Sequence, residues 1–71
     1  MGKRTLTAVV HREGEWYVAE CPELGTVSQG ASLDEAVANL REATELYIEE
    51  THPEPMERSV ITTFEADVTH A

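Results

Sequence analysis

The residues able to do chemistry are few, and their spacing is poor for most reactions. Cys21 is the single cysteine of the 71-residue chain, and His11, His52 and His70 are its three histidines. None of these four stands in the close paired spacing of a zinc site. The histidines therefore read as surface residues, and the sequence implies no metal and no cofactor. Cys21 sits where a strand-like run meets Pro22, without a neighbouring base or second cysteine, and reads as a small packing residue. What remains is carboxylate chemistry: Glu20 and Glu23 flank Cys21-Pro22, and Glu42, Glu45 and Glu49 recur further along.

The charge balance says what those carboxylates would meet. Fourteen Asp and Glu against five Lys and Arg give a formal charge of −9. Such a surface repels nucleic-acid phosphate and attracts a basic partner, while also serving solubility. Glu20 and Glu23 are the candidate contacts to a basic partner, the plain alternative being two solvated loop acids. Trp16 and Tyr17 are candidate partner contacts because aromatics are enriched at interfaces, weighed against packing in the domain's own core. One cysteine rules out an internal disulfide. No apolar run approaches the ~20 residues that cross a bilayer, and the Met-Gly-Lys-Arg start lacks the apolar core of a signal peptide. The expectation is a cytoplasmic protein without a membrane partner.

One stretch, residues 17–50, must position these groups. Residues 5–12 alternate, with Leu6, Ala8 and Val10 opposite Thr5, Thr7, Val9 and His11, which predicts a strand. A turn at Gly14 returns the chain into a second strand, 16–21. Pro22 and Gly25 predict an ordered turn, and 26–29 a short third strand. Ser32 and Glu35 then stand as N-cap and capping-box partner. Leu33, Val37, Leu40, Thr44 and Tyr47, flanked by Ala36, Ala43 and Ile48, form the apolar stripe of a helix running to about Thr51. Arg41 and Glu45 are spaced to pair on its other side. Pro53 stops the helix by disfavouring helical geometry at His52. Residues 52–57 read as a stiff linker. Residues 58–68 predict a last strand, with Val60, Thr62, Phe64, Ala66 and Val68 on one face and Ile61 and Thr63 on the other.

The predicted fold is therefore a single α+β domain of order βββαβ. A right-handed crossover makes a four-stranded mixed sheet, order 3-2-1-4, with one helix on one face. Val9 and Ile61 then fall on the uncovered face. Apolar surface left wet there predicts a homo-oligomer, a dimer or tetramer.

Three segments in succession resemble the HicB family of antitoxins. The first is Tyr17-Val18-Ala19-Glu20-Cys21-Pro22-Glu23-Leu24-Gly25. The second is Val27-Ser28-Gln29-Gly30, and the third runs from Leu33-Asp34-Glu35-Ala36-Val37 to Ala43. The family pattern is an aromatic strand, a Pro-Asp/Glu-Leu-Pro-Gly turn, Thr/Ser-Gln-Gly and a helix opening Glu-Glu-Ala. Here the turn is one proline short and the helix opens Asp-Glu-Ala. The resemblance implies a reduced ribonuclease-H-like fold and a partner, a small basic HicA-type ribonuclease toxin that the antitoxin neutralises by covering its active site. Family members often carry a C-terminal DNA-binding domain. With only three residues after Val68, none is expected here, and direct nucleic-acid binding by this chain is not expected either.

A ribonuclease-H-like fold raises the question of catalysis. Two-metal hydrolysis needs several carboxylates converging on ions about 4 Å apart, and the ribonuclease-H arrangement places one on the first strand. Residues 5–11 contain no acid, so the chain is not expected to be an enzyme. The alternative to an antitoxin is a stand-alone oligomeric interaction module of the same fold with no toxin partner.

Overall fold

Two tight turns fold residues 9–30 into an antiparallel meander. The computed structural model describes residues 2–54 and 57–69, with β1 at Val9–Glu13, β2 at Trp16–Cys21 and β3 at Thr26–Gly30. Gly14 takes φ 63° in the two-residue loop between β1 and β2. A positive φ at the first loop position alone is the type II′ pattern, whose twist suits a hairpin. Gly25, at φ 78°, completes the second turn, its N–H donating to the Cys21 carbonyl at 2.7 Å.

The register sets the two faces. Val10 lies opposite Ala19, and Ala19 opposite Ser28. Because side chains alternate along a strand, Val10, Tyr17, Ala19, Cys21 and Ser28 share one face. Val9, His11, Trp16, Val18, Glu20 and Val27 share the other.

Helix α1, Leu33–Thr51, covers the first of these faces. Ser32 caps it, its hydroxyl oxygen accepting from the Glu35 N–H at 3.1 Å. The Glu35 carboxylate reaches back to the Ala31 N–H, so this capping box closes one residue upstream of its usual partner. At the far end His52 turns left-handed, φ 48° and ψ 58°, and its N–H donates to the Ile48 carbonyl at 2.9 Å. That geometry before Pro53 is how the helix stops.

The core is small: Ala19, Cys21, Ala36 and Leu40, with Leu6, Val10, Tyr17 and Leu24 packed around it. The helix buries Ala36, Leu40 and Thr44, a line rotated from the predicted stripe. Leu33 and Val37 stay exposed, at 51% and 38%. The reason is the two-residue link from β3, which brings the first turn of α1 down on Gly30. A methyl built there would lie 2.6 Å from the Ala36 amide nitrogen. The helix thus lies over β3 and β2 and only grazes β1. The Thr26 and Thr44 hydroxyls, 2.6 Å apart, join it to β3. Asn39 also donates to the Gln29 carbonyl at 2.8 Å.

Two expectations need correction. β1 begins at Val9 and not at Thr5. Residues 5–8 lack a paired strand, although Leu6 still packs against the core. The larger difference concerns the fourth strand. Among the described residues the sheet is three-stranded and antiparallel, in the order β1-β2-β3. Residues 57–69 carry no regular secondary structure, so neither the mixed sheet nor the order 3-2-1-4 forms. Alternation supplies a strand's faces, but a ladder also needs a partner edge, and beyond Ser59 this segment pairs with none. Val60 and Phe64 are each 87% exposed. The radius of gyration is 14.5 Å, against about 11 Å for a compact chain of this length. Pro55 of the expected linker and the surface histidine His70 lie outside the described residues.

Candidate functional site

Glu23 leaves β2 in the turn, two residues after Cys21, and continues the alternation 19, 21, 23 toward the interior. It is buried, and donors from three described residues surround its carboxylate. Thr7 grips it twice, the N–H donating to Oε1 at 2.9 Å and the hydroxyl to Oε2 at 2.6 Å. The Ser59 N–H donates to Oε2 at 2.9 Å. The Cys21 thiol adds a weak bond to Oε1 at 3.4 Å. The Thr7 hydroxyl, then the Thr7 N–H, then the Ser59 N–H hold this carboxyl far below the usual carboxylate range, against a smaller opposing effect of burial.

The arrangement is a clamp. One carboxylate ties together the lead into β1, the turn after β2 and the start of the 57–69 segment. A carboxylate saturated by donors is a poor general base, and it does not offer an acidic edge. Glu23, expected as a contact to a basic partner or else as a solvated loop acid, lies buried in the interior. Its partners Thr7 and Ser59 carried no local signal, being 16 and 36 residues away. The signal that was available is that Glu23 shares the parity of two inward residues.

The other expected contacts divide. Glu20 is exposed on the open face of β2, flanked in register by Val9 on β1 and Val27 on β3. Trp16, half exposed, lies on the same face four residues along, about 13 Å away. Tyr17 points to the helix side and is half-buried, with the Arg12 guanidinium 5.3 Å from its ring centre. Trp16 and Tyr17 therefore do not form one patch. The open face also carries His11, 3.0 Å from the Glu13 carboxylate, both exposed. Val9 belongs to this face, whereas Ile61 lies outside the sheet in the unpaired segment. On α1 the Arg41–Glu45 pair forms at 3.2 Å, and exposed pairs of this kind are worth about 0.3–0.5 kcal/mol.

A second surface lies beside β1. Because α1 sits toward β3, a shallow groove opens between β1 and the exposed flank of the helix. Its apolar wall is Ala8, Val10, Leu33 and Val37, and its rim carries Arg41 and Glu45. Among the described residues no group of three or more His, Cys, Asp or Glu could hold a metal ion. No described helix is long and apolar enough to cross a membrane.

The chain is similar to a UPF0150 protein of Helicobacter pylori strain J99, 46% identical over 44 residues. The match covers 61% of this chain and 61% of that protein. No protein-family model matches the chain, and no solved structure matches it.

Proposed function

We propose that the chain is a HicB-like antitoxin that binds and occludes a small basic HicA-type ribonuclease. The observation that carries this reading is the structural work done by the resembling motif. Pro22 to Gly25 form the turn that buries Glu23, Gly30 admits the helix, and residues 33–43 supply two of its three buried positions. The resemblance thus rests on residues that build the fold, and a charge of −9 suits a basic partner. The open sheet face is the contact surface in this reading, with Trp16 as aromatic anchor and Glu20 as the charged group between Val9 and Val27. The protein is then cytoplasmic and acts without catalysis or cofactor.

Co-expression with the product of an adjacent basic reading frame bearing a catalytic histidine tests this. The two should co-purify, and equimolar antitoxin should abolish the partner's RNA cleavage. Trp16→Ala and Glu20→Arg should each weaken the complex at least about tenfold. A partner that cleaves RNA unhindered and never co-purifies sinks the proposal.

One observation favours a second reading, a stand-alone oligomeric module with no toxin. Val60, Phe64 and Val68 are almost wholly exposed, a surface that calls for a partner of apolar character. Cells lacking any such neighbouring frame, but containing a stable assembly of this chain alone, would support it.

A further inference from the structure

We infer that residues 58–68 form the missing fourth strand on a second copy of this chain, in a reciprocal strand exchange. The proposal does not depend on the antitoxin reading and holds whether or not a toxin exists.

Three observations meet at β1. The first is the segment itself. Its apolar residues alternate, and among them Val60, Ile61, Phe64 and Val68 are exposed at 87%, 59%, 87% and 92%. An alternating β-branched and aromatic run without a ladder is a strand awaiting an edge. The second is the edge. β3 is served by the helix, with Asn39 on the Gln29 carbonyl, whereas among the described residues β1 pairs only with β2 and its outer side is bare. The third is the groove between β1 and α1, whose apolar wall of Val10, Leu33 and Val37 lies where the helix-side residues of an added strand would fall. The eleven residues 58–68 outlast the five of β1, which span about 17 Å.

The occupant is another copy because the chain's own segment stands clear of the groove. Ser59 is anchored on Glu23, and beyond that anchor the segment departs from its own sheet. The longest dimension of the molecule is 49 Å. A twofold axis lets each copy give one segment and receive one, closing both edges at once. The even-numbered residues, Phe64 among them, then face Leu33 and Val37 of the partner copy. Ile61 shares the open face with Val9, so these two apolar residues of the expected oligomer surface meet across copies and not within one.

The test uses the full chain. Light scattering at tens of micromolar should give twice the 7.9 kDa monomer mass, and Phe64→Asp should halve that mass while far-UV circular dichroism keeps the helix. In a mixed sample of isotope-labelled and unlabelled chains, filtered NOEs should link the Phe64 ring of one copy to the Leu33 and Val37 methyls of the other. A monomeric wild type overturns the proposal, whether its segment is free, folded on its own β1 or reserved for a different protein. So does a dimer that Phe64→Asp leaves intact but Val27→Asp dissolves, since that dimer would use the open face.

Discussion

The Thr7 hydroxyl lies 2.6 Å from Glu23 Oε2 while the Thr7 N–H lies 2.9 Å from Oε1, so one residue before β1 closes on both oxygens of a buried carboxylate after β2. The contact joins positions 16 residues apart and is completed by Ser59. It makes Glu23 the joint between the segment preceding β1, the Pro-Gly turn and the segment following α1.

Replacing Glu23 by Gln keeps the shape and removes an acceptor. One terminal atom becomes an NH2, which faces an N–H or O–H donor and cannot accept from it. Glu23→Gln should lower the melting temperature by several degrees at fixed protein concentration, with Thr7→Val a milder change because the backbone bond survives. Thermal melts of the three proteins check the order. Equal melting temperatures for wild type and Glu23→Gln would show that the clamp contributes nothing.

The same carboxylate predicts an acid response. Its pKa is depressed in the folded state, so its contribution to stability is complete above the ordinary glutamate value of 4.5. As pH falls below that value, the unfolded chain takes up a proton that native Glu23 refuses, and the contribution shrinks on the way down to the native pKa. The gap in urea midpoint between wild type and Glu23→Gln should therefore narrow from about pH 5 to about pH 3. A gap that stayed constant over this range would remove Glu23 as its source.

Gly30 stands where no side chain fits. An added Cβ would meet the Ala36 nitrogen at 2.6 Å and the Glu35 carbonyl carbon at 2.8 Å, both backbone atoms that move only with the helix. Gly30→Ala should cost about 1–3 kcal/mol, read from denaturant midpoints. An unchanged midpoint would mean that α1 shifts at no cost, contrary to its bonds to β3 through Thr44 and Asn39.

Ser32 satisfies the Glu35 N–H in the first turn. Ser32→Ala should cost about 1 kcal/mol and Ser32→Asp almost nothing, a drop of about 4–8 °C for the first in a domain of this size. If alanine and aspartate proved equivalent, the cap would carry no weight in this helix.

Most of what is decided within a few residues was legible. The Gly14 turn, the 16–21 strand, the Ser32 cap with Glu35, and the stop at His52–Pro53 follow from local sterics and from bonds spanning three or four positions. The depth of Glu23 was not legible, because its donors lie far off in the chain and an acid beside a proline also suits a solvated loop. The rotation of the helix escaped for a related reason. Periodicity locates an apolar stripe, but the close approach at Gly30 selects which line along it is buried.

Residues 58–68 show the division most clearly. Their alternation by itself established two apolar-bearing faces and a preference for extended backbone, because side chains on successive residues must point oppositely. Whether those faces find a sheet, and in which copy, was left to tertiary structure. A strand is stable only against an edge that answers its N–H and C=O groups, and the position of that edge depends on every turn and packing contact made before it.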